Sequence, residues 1–393
     1  MKQNLYNIFF LLVVGSFAAY ESAEMVSITY SMFELDTDVF SLRYRLAIAL
    51  ICGAFCIFHP KPKNMFAKAY TWLMFYVCAV SLLNMWTEAS VPGLLVRALS
   101  VLMPLAVFYT FYNISNRVDE KIIYLGTIIA CVFVLITFIQ TYQFQLLNSL
   151  TGDARAGSLY FYLFLLPLFL TSRSKYMKLG AIVFVAGSMV FSLKRGGFIS
   201  FGLALIVYYL VSIRISNGKF KVKNLIFLVF TLIAIYVVIS LGFQTYADEM
   251  ILRLDSMAED EGSNRVEVYK ATWNMITNSD ALSLWFGHGW DSVFKNSPEN
   301  LSAHNDFLEV IYDFGILALI LYLYLYYRIF KSMFILIRNR SEYAPALAFS
   351  LITFTVNSTI AHILIYLYNM VIVALVWGYI LGKEKQRLKI AIK

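Results

Sequence analysis

Residues 301–315 read LSAHNDFLEVIYDFG and set His304, Asn305, Asp306, Glu309 and Asp313 at the mouth of a long apolar run. An imidazole, whose ordinary pKa is near 6.5, suits general-base work close to neutral pH. If a helix begins near Asn305, then Asn305, Glu309 and Asp313 fall four apart on one stripe. A carboxylate at a hydrocarbon boundary is costly unless it faces a cavity or a partner. The stripe therefore points to a water-filled, functional cavity. A capping Asn beside a chance His is the other reading.

Two arginines stand upstream. FSLKRGGF (191–198) is a very short turn between apolar runs. Gly196 and Gly197 allow close backbone approach, and Arg195 offers a planar fork to phosphate. An anion site that includes Lys194, or two side chains snorkelling to headgroups, would each explain the pair. SNRVEVYKATWNMI (263–276) predicts an amphipathic helix with Val266, Tyr269, Trp273 and Ile276 on its apolar face. Asn264 and Glu267 resemble a capping box. Arg265 then lies in the first turn, where a cation is unfavourable unless an anion also binds. A surface Arg with no ligand is the alternative.

Weaker signals complete the set. In WFGHGWDS (285–292), Gly287 and Gly289 flank His288 and mark a turn toward the membrane, and His288 is not expected to be catalytic. Arg97 follows Pro92 and Gly93 and is an intramembrane cation that needs a partner. The acidic residues between Asp248 and Glu261 lack the spacing of a calcium loop and read as a solvated face. His362 lies between the last two runs with nothing else to speak for it.

The elements that must position these residues are membrane helices. Hydrophobic residues make up 60% of the 393 and charged ones 14%, against about 25% charged in soluble proteins. The mean hydropathy is +0.70. Apolar runs recur near 7–20, 42–58, 67–86, 92–112, 122–142, 157–171, 179–193, 197–213, 224–243, 307–327, 344–361 and 363–381, which predicts about 12 transmembrane helices. With the N-terminus inside and strict alternation, the inside segments hold 22 of the 32 Lys and Arg. That bias follows the positive-inside rule and puts both termini in the cytoplasm. The first run follows Lys2 and precedes small residues; it reads as a retained span, with a cleaved signal peptide as the alternative.

The net charge of +8 is spread between apolar runs, so it reads as a topology signal and not as a nucleic-acid surface. Cys52, Cys56, Cys78 and Cys131 all lie inside apolar runs and read as buried small side chains. The expected organisation is an N-terminal bundle of about nine spans (1–243), a large outer loop bearing active-site elements (244–306), and C-terminal helices with a basic tail (307–393). Long ordered loops are usually functional.

The order of motifs carries a resemblance. A short K-R-G-G turn precedes a loop with N-R-x-x-x-Y-x-x-x-W-x-M-I, then G-x-G, then H-N-x-x-L-E-x-x-Y-x-x-G entering a span. Over about residues 190–327 this resembles the O-antigen ligase/polymerase family of bacterial surface-polysaccharide glycosyltransferases. The resemblance implies an all-α polytopic, GT-C-like enzyme of the bacterial inner membrane with a periplasmic active site. It implies a glycan donor linked to undecaprenyl pyrophosphate and a glycan or lipid A–core acceptor. It implies no metal and no cofactor. By motif position it implies that Arg195, Arg265 and His304 are the catalytic residues. Arg97, Lys194, Asn305, Glu309, Trp273, Gly287 and Gly289 are expected to bind substrate. Glu309 is the alternative base.

The donor's leaving group gains negative charge as its C1–O bond breaks, and arginines can stabilise it. Membrane lipids are implied partners, a chain-length regulator is left open, and nucleic acid is not expected. A repeat-unit polymerase is the favoured activity and a ligase the alternative. From another class, a flippase for lipid-linked sugars would spread polar residues along many spans and show inverted repeats. Here they gather at the outer face. A structural membrane subunit would tolerate substitution of the Arg and His positions.

Overall fold

The computed structural model describes residues 3–15, 18, 51–53, 55, 65–83, 91–147, 159–192, 194–216, 219–242, 248, 251–252, 265–297, 301–361, 363–364 and 367–391. Side chains are not described at 91–101 and 141–147 and are described only in part within 219–242 and 367–391. Among the described residues all regular structure is helical. The helices are α1 (Gln3–Gly15), α2 (Met65–Leu83), α3 (Val91–Ile114), α4 (Glu120–Leu147), α5 (Tyr160–Leu170), α6 (Lys175–Ser192) and α7 (Arg195–Ile215). They continue with α8 (Lys219–Gly242), α9 (Arg265–Thr277), α10 (Ala281–Phe286), α11 (Ser292–Asn296), α12 (Asp306–Arg338), α13 (Ala344–Ile360) and α14 (Leu367–Ala391).

Helices α1–α8 and α12–α14 fall on expected apolar runs, and most of the expected 42–58 run lies outside the described residues. By length and composition, α2, α4, α6, α7 and α12 are long and apolar enough to cross a membrane. A bilayer core about 30 Å thick needs about 20 helical residues, and the 11 of α5 and 17 of α13 fall short of that. Both are packed in the bundle, with most of their side chains buried. The outward side chains are apolar too: Trp72, Phe75, Leu203, Ile206, Leu210 and Phe230 are all exposed. An apolar exterior over an apolar interior is the pattern of a lipid-facing bundle.

Close backbone approach holds the middle together. On α14, Gly378 and Gly382 form a G-x-x-x-G pair facing α3. A Cβ would stand 2.6 Å from the Phe108 carbonyl oxygen at Gly378 and 2.4 Å from that of Tyr112 at Gly382. Small residues at such spacing let membrane helices pack without side-chain separation. Trp377 beside them is fully buried, meets Phe66 and Phe354 edge-on, and donates its indole N–H to Ser350 Oγ at 3.0 Å. Phe10 of α1 is buried against Phe111, over Gly126, where a Cβ would be 2.7 Å from its ring. Cys52 is buried, Cys78 and Cys131 are half-buried, and none of the three is in a disulfide; Cys56 lies outside the described residues.

The bundle has two polar ends. At one, Gln3 and Asn7 donate to Asp119, Asn116 donates to the Gly382 carbonyl, and Ser341 Oγ donates to the buried Glu384. The loop segments 113–121 and 328–343 and the start of the C-terminal tail, all expected on the inside, meet here. At the other end lie the start of α7, the start of α5, helices α9–α11, and the junctions before α12 and after α13.

One helix differs from the expected continuous span. α12 runs from Asp306 to Arg338 but is interrupted at Gly315, with φ 81° and ψ 175°. A short segment, 306–314, therefore stands apart from the long apolar segment that follows. The reason is a close contact: a Cβ on Gly315 would stand 2.2 Å from the Trp285 carbonyl oxygen. The chain at 285–289 docks where the helix breaks.

Candidate active site

Helix α9 presents Arg265 to the bundle. Val268, Thr272 and Ile276 are its buried residues, and Arg265 shares their face at i+3 and i+7 spacing. The predicted apolar face is corrected here: Val266 and Trp273 point outward and are exposed. Thr272 can be buried because its hydroxyl donates to the Val268 carbonyl at 2.8 Å. Apolar residues lie on both flanks of this helix, so periodicity alone does not choose between them. Asn264, the predicted capping residue, lies outside the described residues.

Tyr269 ties α9 to the site. Its hydroxyl donates to the Thr359 carbonyl at 3.0 Å and lies 3.4 Å from the His304 carbonyl. Burial pushes this phenol up; the nearby Arg265 charge and an Asn305 hydrogen bond act against that, less strongly. His304 is exposed and takes a left-handed backbone, with φ 50°. That conformation is uncommon outside glycine. Asn305 follows in extended form and caps α12, its side-chain oxygen accepting from the Phe307 and Leu308 N–H groups at 2.9 and 3.2 Å. Its amide nitrogen donates to the same Thr359 carbonyl at 3.2 Å. Both ends of Asn305 are thus engaged in holding the junction.

The acidic residues face protein partners. Asp306 is fully buried; it accepts from the Tyr322 hydroxyl at 3.1 Å and from the Ile363 and Leu364 N–H groups at 3.0–3.2 Å. Asp313 is buried, with its oxygens accepting from the Asp291 and Val293 N–H groups at 3.1 and 3.0 Å. It caps α11 from a distance. Glu309 is buried and accepts from the Ala303 and His304 backbone N–H groups. Within the expected stripe, Asn305 and Asp313 serve as anchors that satisfy backbone donors, which is how a buried carboxylate such as Asp313 is made tolerable.

The 287–289 turn has the same character. The His288 and Gly289 N–H groups donate to the Tyr312 and Asp313 carbonyls at 3.0 and 2.8 Å. Gly287 has φ 84° and Gly289 φ 101°, both in the region that favours glycine. His288 stacks on Tyr312 at 4.2 Å between ring centres and pairs with Ser279 Oγ at 2.9 Å. Its burial holds the imidazole below its ordinary range, with Asp280 acting against this.

Arg195 opens α7, with Lys194 as the preceding residue. A Cβ on Gly196 would stand 2.6 Å from Ile360 Cδ1, so this turn lies against the end of α13, next to Thr359. A Cβ on Gly197 would stand 3.1 Å from Tyr160 Cζ. The Tyr160 hydroxyl accepts from the Gly197 N–H, and the Arg265 charge acts on that same hydroxyl. A ring of neighbours closes, through contacts among the Arg195 turn, Tyr160, Tyr269, the end of α13 and the His304 junction, and through the Arg265 charge that acts on Tyr160 and Tyr269. The structure thus brings together the elements that carry Arg195, Arg265 and His304 from 109 residues of separation (195 to 304).

Residues 180–323 match the family model described as O-antigen ligase.

The matched stretch contains Arg195, Arg265 and His304, and it supports the O-antigen ligase/polymerase family recognised from the motif order. No curated protein matches the chain. Two members of the ring, Tyr160 and Thr359, lie outside the O-antigen ligase stretch. The sequence offers no signal for either beyond a tyrosine at the head of an apolar run and a threonine near the end of another. The side chain of Arg97 lies outside the described residues, as does His362. Trp273 is on the outer flank of α9. Among the described residues no three His, Cys, Asp or Glu side chains form a metal-ligand set.

Proposed function

We propose that this membrane protein is a glycosyltransferase that moves a glycan from an undecaprenyl-pyrophosphate carrier to an acceptor sugar at the periplasmic face of the inner membrane. The observation that supports it is the ring joining the Arg195, Arg265 and His304 elements at one end of the bundle, opposite the end where basic loops gather. In this reading both termini are cytoplasmic and the segment between α8 and α12 is periplasmic.

The acceptor hydroxyl oxygen attacks C1 of the donor sugar. The bond between C1 and the pyrophosphate oxygen breaks, and its electron pair leaves with the pyrophosphate. His304 takes the hydroxyl proton. Charge grows on the leaving oxygen, and Arg195 and Arg265 stabilise it through charge-assisted hydrogen bonds, with Lys194 and Arg97 adding to the positive field. No metal takes part in this scheme. Attack opposite the leaving group inverts the anomeric centre. Glu309 acts through the His304 backbone that it holds, and Asn305 through the cap that sets where His304 stands.

We favour repeat-unit polymerisation. The family description, O-antigen ligase, favours transfer of finished polymer to lipid A–core as the second reading. One experiment tests both. Surface polysaccharide is resolved by gel in a deletion strain carrying His304→Ala, with insertion and expression verified. A full wild-type ladder would remove His304 as the base. Loss of the ladder is expected. In the deletion strain, single repeats on the core identify a polymerase, and bare core with polymer left on the carrier identifies a ligase.

A further inference from the structure

The first turn of a helix presents amide donors that need partners from outside it. At the start of α7, Lys194 supplies no side-chain cap. One donor is met from another helix, since the Tyr160 hydroxyl accepts from the Gly197 N–H. Gly196 and Gly197 make this approach possible. A Cβ on either would stand 3.3 Å from the Tyr160 hydroxyl.

The same hydroxyl feels the Arg265 charge. A guanidinium and a backbone N–H are donors only. Toward the N–H the phenol oxygen acts as acceptor, and the nearby guanidinium charge orients the hydroxyl dipole the same way, so its own proton is directed away from both. A phosphate group drawn to the two arginine-bearing elements offers acceptors only, and it is the complement of that proton.

We propose that Tyr160 is a substrate-binding residue: its hydroxyl, held by the Gly197 N–H beside Arg265, donates its proton to an oxygen of the donor's pyrophosphate. This rests on the glycosyltransferase reading above. It extends the site beyond the matched stretch, to a residue on α5.

The test uses the full-length protein in zwitterionic nanodiscs, with a short-chain isoprenyl pyrophosphate as probe and the matching monophosphate as control. Affinity and ligand-induced thermal shift are measured for wild type, Tyr160→Phe and Arg265→Ala. Phenylalanine keeps the ring that packs on Gly197 and removes only the hydroxyl. Tyr160→Phe is expected to weaken pyrophosphate binding about tenfold, the scale of one hydrogen bond to a charged group. The monophosphate should discriminate less between the two proteins. Unchanged affinity with a lowered melting temperature of the unliganded protein would make Tyr160 a purely structural cap and overturn the proposal. If wild type does not bind the pyrophosphate at all, the donor assignment itself falls. If anionic phospholipid added to the discs competes as well as the pyrophosphate, the site is a headgroup site and the proposal falls with it.

Discussion

Gly287 and Gly315 pack reciprocally, each against the backbone just before the other. A Cβ on Gly287 would stand 2.3 Å from the Asp313 carbonyl oxygen, and one on Gly315 would stand 2.2 Å from that of Trp285. Both glycines have positive φ, 84° and 81°. Each therefore lacks a side chain for two reasons, conformation and space. The pair sets where the 285–293 segment docks on α12, and so how the chain returns to His304.

Gly287→Ala should accordingly destabilise the protein by about 3 kcal/mol, adding strain at positive φ to a clash with backbone that cannot move aside. Thermal unfolding of the purified protein measures this. A variant that melts like wild type would show that the docking is not tight.

Asp313→Asn tests the remote cap. An amide keeps one acceptor and turns a donor toward an N–H group, so one of the two backbone donors at 291 and 293 loses its partner. The expected cost is about 1–3 kcal/mol. It should appear as faster hydrogen exchange at 291–297, with the exchange of α13 and α14 unchanged.

Tyr269→Phe removes the hydroxyl that bonds Thr359 and reaches the His304 carbonyl while leaving the ring in place. Insertion should be normal. With His304 as the base of the proposed reaction, polysaccharide output should fall about tenfold or more as His304 loses its fixed setting, because small misplacements of a base are costly. Normal output would show that Asn305 alone holds the junction.

Acid should loosen the 279–313 region through two groups. Burial depresses the His288 imidazole, so its contribution is present above the unfolded pKa, about 6.5, and is lost as pH falls through the lower folded value. Asp280 is also depressed, by its hydrogen bonds to Ser283 and Leu282 at the start of α10. Its contribution is present above the ordinary Asp range and is lost as pH falls through the folded value. His288→Gln should flatten the first of these two windows and leave the second. Melting temperature against pH for both proteins decides it; identical profiles would show that His288 does not titrate on unfolding.

The positions of the helices were legible in the sequence because they depend on local quantities. The lengths of apolar runs predicted where α2, α4, α6, α7 and α12 would fall, and the order of Arg195, Arg265 and His304 along the chain carried the family resemblance. Tertiary structure alone decided the rest. Asn305 and Asp313 meet backbone groups at Thr359, Asp291 and Val293, and Gly287 packs on the Asp313 backbone. The Thr359 carbonyl that Asn305 reaches and the two N–H groups that Asp313 holds lie 20 or more residues away along the chain. Helix α9 carries Val266 and Val268 on different flanks, so its buried side is chosen by what it packs against and not by its own period. Tyr160 joins the site because two glycines 36 and 37 residues later leave room for its ring. Hydrogen bonds and close packing act over a few ångströms in space, whatever the separation along the chain, and only the folded chain brings those atoms within range.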